Sequence, residues 1–158
     1  MESSNLILES SDNQKIEIDQ ESAQKSIILK NLIPKFNENH EPIQLSEIKY
    51  DILKNIVDYL IHYKDKTPKD IPKPLPSANL SEFLEEWDIQ FINGFELEKV
   101  FDISRAANYM DIPSLLDLCH AKLASLMKGK TEQEIRNMFN IECDLTEEEL
   151  KEYEEYKI

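Results

Sequence analysis

The sequence is poor in the residues on which several familiar kinds of binding site depend. Its 158 residues include two glycines, Gly94 and Gly129. Nucleotide-binding loops need several glycines close together, because the backbone must approach a phosphate. The two cysteines, Cys119 and Cys143, are too few for a disulfide scaffold, and their spacing matches no zinc site. These shortages exclude a nucleotide-binding loop and a fold held by disulfides or zinc.

Positive charge is also scarce. Lys and Arg number 18 against 32 Asp and Glu, which gives a formal net charge of −14 at pH 7. Nucleic acids and anionic membranes are bound through Lys and Arg, so we expect neither as the main partner. The polar residues 1–4 do not resemble a targeting signal, and no run reaches the roughly 18 apolar residues of a membrane span. We expect a soluble intracellular protein of a reducing compartment, such as the cytoplasm and nucleus.

Residue groups that carry out reactions are missing too. The sequence has no His-Glu-x-x-His, Gly-x-Ser-x-Gly or Cys-x-x-Cys motif, and its three histidines are scattered. Cys119 and His120 are neighbours, but adjacent residues of a helix point about 100° apart. We therefore expect one of them inside and the other at a surface or interface. No catalytic residue, metal or cofactor is predicted.

The first part of the chain alternates between strand and helix patterns. Asp19 is predicted to begin a short helical segment. Residues 26–33 are predicted to form a helix that stops at Pro34. Ser46 is predicted to cap a helix that runs to about Tyr63, with apolar residues along one face. The predicted strands, of which the first two form a hairpin, are residues 5–9, 15–18 and 43–45.

A proline-rich segment, residues 64–79, follows. Because proline fixes φ and lacks an amide hydrogen, Pro68, Pro72, Pro74 and Pro76 predict an extended linker. Helical patterns dominate after it, so the sequence predicts an α+β part followed by helices. Three of the predicted helices are residues 80–91, 96–109 and 113–127. Two more are predicted to begin at capping boxes, one formed by Thr131 and Glu134 and the other by Thr146 and Glu149.

Three stretches of these helices point to a known family. They read AANYMDI at residues 106–112, LLD at 115–117 and MKGKTEQEIRNMFNI at 127–141, and Trp87-Asp88 precedes them. Together they resemble the S-phase kinase-associated adaptor family, the small subunit of SCF ubiquitin ligases. The N-terminal half is similar to this family as well, so the resemblance covers nearly the whole chain apart from the linker.

The resemblance implies both a fold and a function. The fold would be a BTB/POZ-type domain at residues 1–111, a small β-sheet with helices, followed by a helical extension at residues 112–158. The function would be that of a non-catalytic adaptor that bridges F-box proteins to a cullin. A scaffold subunit of an F-box-containing centromere or kinetochore complex is the alternative. An elongin-type adaptor is a third possibility, which the helices from Pro113 onward disfavour.

The resemblance also implies which residues meet each partner. Asn108 and Tyr109 match the cullin contact, and Arg105 stands where the family has an apolar residue. His120 stands where the family tends to have a cysteine. The residues that match the F-box contact are Leu116, His120, Leu123, Met127, Ile135, Phe139 and Ile141.

Spacing alone gives these residues a different interpretation. From helical periodicity, Leu116, Leu123, Ile135 and Phe139 would be ordinary core residues, and the resemblance reverses this interpretation for Leu116 and Phe139.

The relatives also carry an aromatic residue beyond the position of Ile158, so Tyr153 or Tyr156 would replace it, or the F-box contact would be weaker. A weak homodimer of the unbound chain is a further expected association.

Overall fold

The computed structural model describes residues 5–156, which form two compact units divided between Ser125 and Leu126. The outermost residues of both predicted domains, 1–4 and 157–158, lie outside the described residues. The predicted domain boundary between residues 111 and 112 stays a prediction. Within residues 5–156, no helix has the length and apolar content to span a bilayer.

A three-stranded sheet opens the first unit. Strand β1 (Leu6–Ser10) is central, with β2 (Lys15–Ile18) antiparallel on one side and β3 (Ile43–Leu45) parallel on the other. Alternate side chains of β1 are buried, which places one face of the sheet on the core. The predicted hairpin and third strand are confirmed.

Two helices connect β2 to β3. Asp19 caps the single turn α1 (Gln20–Ala23), as predicted, and accepts a hydrogen bond from the amide of Ser22 at 3.0 Å. Helix α2 spans Ile27–Asn39 and ends at His40, which has a left-handed φ of 54°.

The prediction that α2 stops at Pro34 is wrong. Pro34 lies inside the helix on its exposed side, where the carbonyl it leaves without an amide partner can face water. The buried ring of Phe36 anchors the second half of the helix.

The predicted cap of the next helix is wrong as well. Helix α3 spans Tyr50–His62 and is preceded by Lys49, which makes no side-chain capping bond. The carboxylate of Asp12, in the turn between β1 and β2, accepts a hydrogen bond from the amide of Tyr50 at 2.9 Å instead. The hydroxyl of Ser10 and the amide of Tyr50 both hold the pKa of Asp12 below its ordinary value.

The rest of the first unit is helical. The linker forms no helix or strand from residue 64 to residue 79, as predicted. The predicted helix at 80–91 is split into a 3-10 turn (Leu80–Glu82) and helix α4 (Glu86–Asn93). Helix α5 spans Leu97–Tyr109 and packs on α3. Helix α6 spans Pro113–Met127, so its last two residues belong to the second unit.

An aromatic cluster joins α3 to α4 and includes the Trp87-Asp88 pair. The indole of Trp87 stacks on the ring of His62, with ring centres 3.8 Å apart, and also on Phe91. The hydroxyl of Tyr63 donates a hydrogen bond to the buried carboxylate of Asp88 at 2.6 Å. This part of the family signature therefore supports the fold.

The second unit consists of two short helices besides the end of α6. They are α7 (Glu132–Phe139) and α8 (Glu147–Glu155), and each begins with the predicted capping box. None of the described residues 126–156 is buried. Helices this short are marginal in water, so these two gain little of the packing that usually stabilises a helix.

Replacing Tyr63 with Phe tests the buried hydrogen bond. Burial raises the pKa of Asp88, so the ionised carboxylate disfavours folding as the pH rises through that raised value. Loss of the Tyr63 donor adds to this cost, so we expect Tyr63→Phe to lower the free energy of unfolding by about 1–3 kcal/mol at neutral pH. The loss should shrink as the pH falls and Asp88 is protonated.

Urea unfolding, followed by circular dichroism over a pH series, measures this effect. Tyr156→Phe is the matched control, because Tyr156 is 89% exposed. An equal loss in both variants, or a loss for Tyr63→Phe that grows in acid, would contradict the assignment.

Candidate functional site

Helix α5 presents an exposed face that contains the predicted cullin contact. Asn108 and Tyr109 are both exposed, Tyr109 by 40%. Arg105 lies one turn before them and Phe101 two turns before them on the same face, and Phe101 is 39% exposed. The α5 face is the name used below for Phe101, Arg105, Asn108 and Tyr109.

A cavity of about 280 Å³ opens beside the α5 face. Its wall joins the end of α5 to the residues that lead into α3, and Ile48 and Ile52 form its apolar side. Arg105 and Tyr109 line the other side, and the Arg105 guanidinium pairs with the carboxylate of Asp102. The ion pair of Arg105 with Asp102 thus makes one edge of this surface polar.

The end of α5 is fixed to the start of α2. The buried hydroxyl of Ser26 donates a hydrogen bond to the carbonyl of Met110 at 2.6 Å, and the amide of Ile27 donates one to the carbonyl of Asp111 at 3.2 Å. These bonds join segments more than 80 residues apart. The backbone that directly follows Asn108 and Tyr109 is therefore attached to α2.

The sequence analysis missed Phe101 as a candidate. Its neighbours Val100 and Ile103 are buried, so the ring of Phe101 lies outside the stripe that faces the core. The eight-residue spacing between Phe101 and Tyr109 is the signal that could have identified it.

Cys119 and His120 diverge as predicted. Cys119 is buried and His120 is exposed. Burial raises the pKa of the Cys119 thiol to about 12, so it stays protonated and is a poor nucleophile. Within the part of the chain that the structure describes, no group of three His, Cys, Asp or Glu side chains could hold a metal ion.

The predicted F-box contacts on α6 differ in exposure. His120 is exposed and Leu116 is half-buried. Leu123 is buried, with 9% exposed, which agrees with the core interpretation that its spacing gave. The hydroxyl of Tyr59 donates to that of Ser114 at 2.9 Å and so connects the first turn of α6 to α3.

The other predicted F-box contacts lie in the second unit. Met127, Ile135 and Phe139 are half-buried, whereas Ile141 is 54% exposed. The sequence analysis did not include Leu145, which is also an exposed large apolar residue. This unit thus presents apolar side chains and buries none of them fully.

Two segments of the chain match models of one protein family. Residues 4–65 match the model described as "Skp1 family, tetramerisation domain", and residues 113–157 match "Skp1 family, dimerisation domain". The two matches lie at either end of the chain, and the proline-rich linker follows the first of them directly.

Curated relatives match almost the whole chain. The "S-phase kinase-associated protein 1 homolog" of Tetrahymena thermophila is 44% identical over 147 residues, which cover 93% of this chain and 88% of that protein. The "E3 ubiquitin ligase complex SCF subunit sconC" of Arthroderma benhamiae is 34% identical, with 91% and 87% covered. The protein of the same name from Talaromyces marneffei is 33% identical, with 93% and 91% covered.

Proposed function

This chain belongs to the Skp1 family, and we propose from its surfaces how it works as an adaptor subunit of an SCF-type ubiquitin ligase. The α5 face binds a cullin, and the apolar residues of α6 and of the second unit bind an F-box protein. The observation that supports this proposal most strongly is that one chain matches both Skp1-family models, one in each part of the chain.

The cullin side rests on the chemistry of the α5 face. Tyr109 and Phe101 offer partly exposed aromatic rings, a residue class enriched at the centres of protein interfaces. Asn108 adds a polar group that can hydrogen-bond to a partner. The two bonds from Ser26 and Ile27 hold this end of α5 in place, so binding costs little conformational entropy.

We expect the double variant Asn108→Lys with Tyr109→Lys to lose cullin binding. Two lysines remove an aromatic contact and a hydrogen-bonding group, and we expect a loss of about tenfold or more in affinity. Co-purification with a recombinant cullin N-terminal domain measures it, and binding of an F-box domain should be unchanged.

Gln24→Lys with Asn31→Lys is the matched control, because it adds the same charge at two exposed residues elsewhere on the first unit. Unchanged cullin binding in the Asn108→Lys, Tyr109→Lys variant would show that the α5 face is not the cullin contact. If the unmodified chain retained F-box proteins and kinetochore components but no cullin, the scaffold alternative would replace the ligase assignment.

The proposed F-box contact is supported by apolar surface that the second unit does not bury. Ile135 and Phe139 lie four residues apart on α7, and so on one face of that helix. Apolar faces of short helices are a common way of holding a partner helix. Binding would bury these side chains and supply the packing that α7 and α8 lack.

Phe139→Asp tests this second surface. A carboxylate buried against an apolar partner lacks a counter-charge, so we expect F-box affinity to fall by about tenfold or more. Isothermal titration with a recombinant F-box domain measures the change.

We also propose that the unbound chain self-associates weakly. Light scattering on the unbound samples measures this self-association, which should decrease on dilution.

Asn137→Asp is the matched control, because it adds the same charge to an exposed residue of α7. Unchanged affinity in both variants would show that α7 is not the F-box contact. Cullin binding should be equal in the two variants.

We further propose that the chain carries out no reaction itself. Its contribution is to hold the substrate receptor and the rest of the ligase in one assembly, which raises the effective concentration of the substrate. The buried, protonated Cys119 fits this role, since its thiol is not activated. The acidic net charge favours protein partners over nucleic acid or membrane, and the cytoplasm and nucleus are the proposed compartments.

A further inference from the structure

The linker lies against helix α6. Residues 71–75 and one face of α6 line an open cavity of about 280 Å³ within the first unit. The ammonium group of Lys73 pairs with the carboxylate of Asp117 at 2.7 Å. The helix residues at the cavity, which recur at intervals of three and four and so share one face, are Asp117, His120, Ala121 and Ala124.

The cavity exists because small side chains face prolines. Ala121 and Ala124 form its floor on α6, and Pro72, Pro74 and Leu75 are among the linker residues opposite them. Its volume is just below the range of about 300–1,000 Å³ that is usual for small-molecule sites. The space is open and mainly apolar, so it can take in an apolar side chain of a bound protein.

His120 connects this cavity to the proposed F-box surface. Successive helical residues turn by about 100°, so His120 lies roughly 40° around the axis of α6 from Leu116, whereas Ala124 lies roughly 80° away. The cavity is therefore next to the Leu116–His120 stripe. His120 remains exposed although it lines the cavity, so the linker borders the stripe and does not cover it.

We propose that residues 71–75 form a side wall of the F-box-binding surface, and that an apolar side chain of the F-box protein inserts between this wall and α6. The proposal rests on the proposed function, because it extends the same surface from Leu116 and His120 to Ala124 and Leu75. The apolar lining selects an apolar side chain, and continuity with the stripe selects the F-box protein as its source.

The attachment of the wall allows such an insertion. Lys73 is mostly exposed, and exposed ion pairs are worth only about 0–1 kcal/mol. The wall can therefore shift to admit a side chain at little cost, while the Lys73–Asp117 pair keeps it beside α6.

Filling the cavity tests the proposal. Ala124→Phe places a ring where the partner side chain would insert, so we expect the affinity for a recombinant F-box domain to fall by about tenfold or more in isothermal titration. Ala78→Phe is the matched control, because Ala78 is exposed and does not line the cavity. Unchanged affinity in a folded Ala124→Phe protein would overturn the proposal.

A charge swap tests the wall through the ion pair that attaches it to α6. Asp117→Lys repels Lys73 and should lower F-box affinity by about two- to fivefold, and Lys73→Asp in the same chain should restore it. If the linker were a lid over the site, Asp117→Lys would raise the affinity instead. Unchanged or raised F-box affinity in the Asp117→Lys variant would contradict the proposed wall. This result decides the question even if the Ala124→Phe protein does not fold.

The Phe139→Asp variant distinguishes this proposal from the proposed function. If Phe139→Asp loses F-box binding while the Ala124 and Asp117 variants keep it, the adaptor function stands and the wall is wrong. If the unmodified chain binds no F-box domain, both are wrong.

Discussion

Hydrophobic burial is distributed unevenly along this chain, and the way in which each unit is stabilised depends on that distribution. In the first unit, the sheet and helices α3 and α5 enclose a continuous core that includes Leu8, Leu53 and Ile103. In the described part of the second unit no residue is buried, and its two helices depend on capping boxes and on half-buried residues such as Phe139. A partner that covers those residues would complete the packing of that part of the chain.

An adaptor of this kind works by position. The α5 face is tied to α2 through Ser26 and α6 is tied to α3 through Tyr59, so surfaces on both helices are fixed to one core. The aromatic cluster around Trp87 stiffens the same region, where Asp88 accepts the hydrogen bond of Tyr63. In the proposed function, this shared core would hold a cullin on the α5 face and an F-box protein on α6 at a defined separation.

The features that the sequence predicted well are those that neighbouring residues determine. The hairpin, both capping boxes and the divergence of Cys119 from His120 follow from a few adjacent positions. The misses came from capping bonds and burial that only the folded chain provides. Asp12 caps α3 from 38 residues away, and the buried ring of Phe36 keeps α2 helical beyond Pro34.

The candidate site shows the same pattern. The family resemblance identified Asn108 and Tyr109, which the structure leaves exposed, but Phe101 was missed although its helical spacing from Tyr109 places it on the same face. The linker's extended character follows from its prolines, whereas its position against α6, where Lys73 pairs with Asp117 across 44 residues, could not be read from neighbouring residues. Leu123 is buried, as its spacing alone suggested.

The most direct test of the central claim is a bridging measurement. A recombinant cullin N-terminal domain and a recombinant F-box domain are mixed with and without this chain and separated by size-exclusion chromatography. We predict one peak that holds all three proteins, and separate peaks for the cullin and the F-box domain when the chain is left out. Separate peaks in its presence, or equal association in its absence, would contradict the account.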